Sequence, residues 1–365
     1  MRRLFSMPSV AFRRLLESKS PVMKRFIIQI AFVVAGLLLL TSCTKSNANN
    51  LIVAISPYQD IAMLVNYKHL KLDKEYHVNI QLRTLAWEDI LPAVASSGPT
   101  VDVGFGSLTE YLTKYSRLNS GSSDPIVFVY PLYVYRGGGF ISFNPNVVPL
   151  TEANINDRSS LRKFLSFRIG AQKESIYDMI ISSLARRAGI PLQDINVIDT
   201  SMNDGFLAAQ SHSLDIASAG LTQITEAEKR GGTVVLSMDN AGFADVTGFI
   251  CRASTLKQKH QAISALIRIW FDCVHYVTSD IRQNSVESLR YLNSNASTHY
   301  TLEQYRAALS QEYFPTSIAQ ANAQLINKSG KFSAPRIASE ISSYIRGRDP
   351  TAKTPRRLLF MEIKQ

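Results

Sequence analysis

Leu51-Ile-Val-Ala-Ile-Ser56, Val78-Asn-Ile-Gln-Leu82 and Val101-Asp-Val-Gly104 are short runs rich in β-branched residues, and the stretches between them, 61–70 and 87–96, read as helices. Strands alternating with helices of this length predict βαβ units and parallel sheet. The pattern returns further on. Residues 168–171, 195–199, 216–219 and 234–236 read as strands, with helices over 176–188, 203–211 and 225–230 between them.

A body of roughly 300 residues is long for a single core, so two α/β lobes are expected. Two extended runs link them: Val127–Arg136, which ends in Gly137-Gly-Gly139, and Val246–Arg252. They predict a pair of hinge crossovers, with lobe one over 51–138, lobe two over 139–246, and the rest of lobe one over 247–345. The glycine run lacks the lysine and helix of a phosphate cradle and reads as flexible chain. Over 257–278, Ile263, Leu266, Ile267, Trp270, Val274 and Val277 recur at helical spacing and predict a buried stripe. Residues 302–310, 317–327 and 335–345 read as further helices packed on lobe one.

Outside the body the sequence changes character. Lys24 and Arg25 precede an uncharged run from Phe26 to Leu40, which ends in Leu40-Thr41-Ser42-Cys43. The run is shorter than the roughly 20 apolar residues of a membrane span and contains Gln29. It resembles a bacterial lipoprotein signal, which implies that residues 1–43 are an export segment and that Cys43 takes the lipid. Met23 offers a second plausible start. Residues 44–50 are polar and read as a tether.

Of the net charge of +11, residues 1–43 hold +6 and residues 346–365 hold +4, leaving +1 for the body. The basic excess is therefore terminal, and nucleic-acid binding is not implied. The last segment reads as a disordered basic tail, either solvated or resting on anionic lipid headgroups. Cys251 and Cys273 sit in apolar surroundings, as buried thiols or as a pair in an oxidising compartment. No CxxC, HExxH, GxSxG or Walker lysine loop appears, so the sequence supplies no catalytic residues, no metal site and no cofactor.

Several local marks then point one way. They are Ile52-Val-Ala-Ile-Ser-Pro-Tyr58, Ala93-Val-Ala-Ser-Ser-Gly98 followed by Val101-Asp-Val-Gly-Phe-Gly-Ser107, Phe167-Arg-Ile-Gly-Ala171 with Glu174-Ser-Ile-Tyr177, Ala208-Ala-Gln-Ser-His-Ser-Leu-Asp-Ile-Ala217, and Phe314-Pro315 with Ser329-Gly-Lys-Phe-Ser333. In this order the chain resembles the periplasmic solute-binding lipoproteins of ABC importers, in the nitrate, sulfonate, taurine and thiamine-precursor group. The resemblance implies a two-lobed periplasmic binding protein type II fold, each lobe a mixed, mostly parallel sheet flanked by helices. It also implies a small-molecule solute, an ABC permease with its ATPase as partners, a monomer, and a lipid anchor to a bacterial membrane facing the periplasm. It leaves open an enzyme on the same bilobal fold, such as the dehydratases of an alternative menaquinone route, and a sensor lipoprotein signalling to a membrane partner.

Ligands of open α/β sheets sit beyond the carboxyl ends of the strands. That places Tyr58 and Gln59 after the first strand, Gly106 and Ser107 after the third, and Ser175, Ile176 and Tyr177 after the strand ending at Ala171. Trp87 opens a helix beside them. Thr222 and Arg252 complete the expected site, with Arg136 at the other crossover. Ser175 with Asp178 reads as a helix cap with a capping-box-like partner, so free N–H groups at the helix starts favour an anionic group, sulfonates and heteroaromatic precursors foremost. Where the family often has an aromatic, an acid and a proline, this chain has Gly220-Leu-Thr-Gln223, so one expected cleft wall is missing.

Overall fold

The computed structural model describes residues 48–96, 100–296, 299–355, 358 and 360–363. The expected export segment with Cys43 and the start of the tether lie outside the described residues. In chain order the first half contains β1 (Asn50–Ile55), β2 (Asn79–Thr84), α1 (Trp87–Ala95), β3 (Val103–Ser107), α2 (Leu108–Thr113) and β4 (Ile126–Tyr135). The chain then crosses to β5 (Gly139–Ser142), α3 (Arg158–Leu165), β6 (Ile169–Ala171), α4 (Ile176–Ala188), β7 (Val197–Asp199), α5 (Met202–Gln210), β8 (Ile216–Ala219), α6 (Leu221–Lys229) and β9 (Thr233–Ser237). It returns through β10 (Asp245–Arg252) to α7 (His260–Ser279), α8 (Val286–Asn295), α9 (Leu302–Ser310) and α10 (Ala334–Arg348).

The strands form two separate sheets, ordered β2-β1-β3-β10-β4 and β7-β6-β8-β5-β9. In each, the fourth strand runs against its neighbours: β10 is antiparallel to β3 and β4, and β5 is antiparallel to β8 and β9. The other pairings within β2-β1-β3 and β7-β6-β8 are parallel. Each reversed strand is the one that has just arrived from the other sheet, so a single topological rule builds both lobes. β4 carries Pro131 because it lies at the edge of its sheet, opposite a register shift at Thr247/Gly248, where a missing N–H costs little. Its outer side is covered at Val134, which exchanges backbone hydrogen bonds with Tyr313 at 3.0 and 3.1 Å.

All six residues of the expected stripe in α7 are buried. Trp270 is 0% exposed and stands edge-on to Phe105, 5.2 Å between centroids, and beside Tyr133 at 5.8 Å. Cys251 and Cys273 are both buried free thiols, and burial pushes the Cys251 thiol up to about 12.

Three local expectations are corrected. The helix expected over 61–70 is a 3-10 turn over Ile61–Val65 followed by a short α-helix over Asn66–His69. The helix expected over 317–327 is an α-turn over Ile318–Ala321 that widens into a π-helix over Asn322–Ile326. The basic tail is ordered where it is described. Arg348 ends α10 and pairs with Asp178 of lobe two at 2.8 Å, while Met361 donates its N–H to Val129 O at 2.9 Å and, with Ile363, joins the core around α7. Apolar Phe360, Met361 and Ile363 give this segment a surface to bury, which its charge obscured.

Candidate functional site

The loop after β1 turns sharply, with Tyr58 N–H bonded to Ser56 O at 2.8 Å and Ser56 Oγ donating to Leu85 O at 2.9 Å. This turn delivers Tyr58, Gln59 and Asp60 to the edge of the sheet that faces lobe two. Trp87 at the start of α1, Ser107 and Glu110 at the β3–α2 junction, Tyr133 and Tyr135 on β4, and Asp245 and Thr247 on β10 complete the lobe-one wall. Lobe two closes it with Gln172, Ser175, Ile176 and Tyr177 at the head of α4, Met202, and Gly220-Leu221 at the head of α6. The cavity measures about 60 Å³, room for roughly four water molecules.

Three carboxylates face this space. Asp60 caps the 3-10 turn by accepting Ile61 N–H at 3.1 Å, and Tyr133 OH donates to its other oxygen at 2.5 Å. Burial pushes its carboxyl up to about 6, against the opposite pull of those donors. Asp245 accepts Thr109 N–H at 3.2 Å, Val246 N–H at 2.8 Å and the hydroxyl of Ser107. Burial raises it to about 6 as well. Glu110 accepts the Trp87 indole N–H at 3.1 Å and is paired with buried Lys114 at 3.3 Å. Among the described lining residues there is no lysine, arginine or histidine.

The remaining lining is aromatic. Tyr58 and Trp87 lie 6.3 Å apart at 48°. The hydroxyls of Tyr135 and Tyr177 are 3.2 Å apart, and Tyr177 donates to Ala219 O at 3.0 Å. Burial raises the Tyr177 hydroxyl, keeping it a neutral donor.

Of the residues expected from the sequence, Tyr58, Gln59, Trp87, Ser107, Ser175, Ile176 and Tyr177 are brought together around the cavity. Thr222 stands one layer behind, between Gln59 Oε1 at 3.4 Å and Tyr300 OH at 2.9 Å. Gly106 is not in the lining; a Cβ there would meet Ile250 at 3.0 Å, inside the sheet. Arg252 is at the wrong end of its strand. Because β10 runs antiparallel, its beginning at Asp245 reaches the cavity, and Arg252 lies about 23 Å further along, bonded to Ser96 O at 2.9 Å, Asp124 O at 3.2 Å and Ala95 O. Arg136 pairs with Asp239 at 2.5 Å beside the crossover.

The expected anion cradles are also changed. The start of α2 is already occupied by Asp245 through Thr109 N–H and Ser107. Ser175 makes no side-chain cap on α4; its hydroxyl donates back to Gln172 O at 2.6 Å, and Asp178 accepts Glu174 N–H at 3.1 Å instead. Asp60, Glu110 and Asp245 were not foreseen. Tyr133 and Tyr135 did carry a signal: two tyrosines two apart on one strand share a face.

The chain is similar to the periplasmic aliphatic sulphonate binding protein SsuA from Escherichia coli, with 13% identity, coverage of 84% of this chain and 95% of that one, and a TM-score of 0.61. It is similar to the alkanesulfonate-binding protein SsuA from Xanthomonas axonopodis pv. citri bound to MOPS, at 12% identity, 84% and 95% coverage and a TM-score of 0.61. The periplasmic nitrate-binding protein NrtA from Synechocystis PCC 6803 gives 12% identity, 84% and 90% coverage and a TM-score of 0.57. No protein-family model and no curated protein matches the chain. The chain therefore has the periplasmic binding protein fold, two mixed α/β lobes joined by crossovers, as the resemblance in its sequence implied.

Proposed function

We propose that this chain is a non-catalytic solute receptor: it closes its two lobes on a small molecule and presents the closed form to an ABC permease and its ATPase. The observation that supports this best is the cavity itself, whose walls come from both lobes, ten residues from lobe one and seven from lobe two, so that neither lobe alone encloses it. Closure about two crossover segments is the motion such an arrangement allows. The receptor acts as an exported monomer, anchored through lipid on Cys43 in the sequence Leu40-Thr41-Ser42-Cys43.

Two measurements test the reading. A solute at about 100 times its Kd stabilises the bound form by roughly 2.7 kcal/mol, so a thermal-shift screen of small solutes, followed by small-angle scattering for compaction, should give at least one hit that does both. A screen without a hit counts against the receptor. Mass spectrometry of the chain from bacterial membranes should find a lipidated N-terminus at Cys43, and an unmodified Cys43 would overturn the anchor alone.

A further inference from the structure

We propose that the solute is a small organic ammonium ion, its cationic nitrogen held between Asp60 and Asp245 and surrounded by the rings of Tyr58, Trp87, Tyr133 and Tyr177. This deepens the receptor reading and rests on it. It also replaces the anionic solute expected from the sequence.

The charge inventory carries the argument. Glu110 has its counter-ion in Lys114. Asp60 and Asp245 are 3% and 2% exposed, and among the described residues neither is in an ion pair; their partners are hydroxyl and backbone donors only. A buried carboxylate without a counter-charge is costly, and a cation entering the cavity removes that cost. An incoming anion would meet the same two carboxylates, with no basic side chain among the described lining residues to offset them.

The second observation is independent of charge. Gln59 is 2% exposed and lines the cavity, and its only side-chain partner among the described residues is Thr222, at 3.4 Å. One end of its amide is left for a polar group of the solute. Aromatic faces around a desolvated ammonium are favourable through the ring quadrupole, and this lining offers five aromatic side chains beside the carboxylates. Size narrows the class. A cavity of 150 Å³ takes a benzene, so 60 Å³ suits the smallest alkylammonium ions, of about two or three heavy atoms.

The test uses the full chain and thermal shift with methylammonium, ethylammonium and tetramethylammonium chlorides, set against sodium ethanesulfonate, sodium nitrate and uncharged 1-propanol. At least one ammonium salt should raise the Tm in a saturable way while the other three solutes do not. Asp60→Asn should weaken that binding by roughly thirtyfold, the loss typical of leaving a buried charge without its partner. Trp87→Leu, which leaves both carboxylates in place, should weaken it severalfold and serves if the aspartate variant does not fold. Stabilisation by ethanesulfonate or nitrate without any by ammonium would overturn the inference and leave the receptor intact. Stabilisation by 1-propanol equal to that by ethylammonium would also overturn it, and failure of every solute in a broad panel would remove the receptor reading as well.

Discussion

Glu312 accepts the backbone N–H of Arg136 at 2.7 Å, and its second oxygen accepts that of Gly137 at 3.3 Å. A carboxylate from beyond α9 thus holds the point where the chain leaves β4 for lobe two. Burial, with the nearby charge of Asp60, pushes its carboxyl well above the ordinary range, so it is a costly clamp and a specific one. Glu312→Ala strands two backbone donors and should lower stability by about 2 kcal/mol, read as a drop in the denaturation midpoint. It should also broaden the distribution of lobe separations seen by scattering. An unchanged midpoint and distribution would show that the clamp carries no load.

The acids of the cavity give a pH dependence of definite sign. Asp60 and Asp245 are raised to about 6 in the folded chain, against about 3.9 unfolded. Between these values the folded state holds protons that the unfolded chain has released, so stability from these groups falls as pH rises from about 4 to about 6 and stays low above that. The titratable groups around Asp60 are Tyr58, Tyr133, Tyr135, Tyr300, Tyr305 and Glu312; those around Asp245 are Glu110 and Tyr177, beside the hydroxyls of Ser107 and Thr109. In the solute-free protein the double variant Asp60→Asn/Asp245→Asn should flatten this slope, gaining on the wild type by about 4 kcal/mol between pH 4.5 and pH 7. Parallel curves for the two proteins would contradict it.

Arg348 of α10 pairs with Asp178 of α4 at 2.8 Å, and Tyr344 OH lies 3.3 Å from Ser182 Oγ on the same helix. These contacts join the two lobes. The arginine is 44% exposed, so the pair is screened and is worth at most about 1 kcal/mol. Arg348→Ala should weaken solute binding by no more than about fivefold, mostly through faster release in stopped-flow, with the midpoint of unfolding nearly unchanged.

Gly139 begins β5 immediately after the crossover, and a Cβ there would overlap the carbonyl of Leu236 on β9. Backbone cannot give way as a side chain can. Gly139→Ala should therefore cost about 1–3 kcal/mol, with hydrogen exchange speeding up in β5 and β9 and unchanged in β1 and β3. Uniform acceleration across both sheets would mean that the lobes unfold as one.

The alternation of strands and helices was legible because each element is long enough, and apolar enough on one side, to show its period. The six-residue stripe of α7 is the clearest case. Elements held by few apolar contacts were not. In α8 only Ser288 and Leu292 are buried. The site was half legible. Residues next to strand ends, such as Tyr58, Ser107 and Tyr177, follow from the parallel-sheet rule, which β10 defeats by running the other way: Asp245 and not Arg252 reaches the cavity. Asp60 lies one residue past Gln59, yet nothing in its neighbours tells that Tyr133 waits 73 positions away to bind it.

In the register of β10 against β4, Asp245 stands opposite Tyr135. The whole of lobe two thus leaves and re-enters the first sheet through neighbouring strands, about 5 Å apart. In chain terms it occupies the place of a hairpin loop, grown into a domain with its own core. Such an insert can be excised on paper and replaced by a two-residue turn, leaving β4 and β10 an ordinary hairpin and lobe one an unbroken sheet. One half of the binding surface is then an interchangeable cassette on a fixed frame, and the frame keeps both buried aspartates whichever cassette it carries.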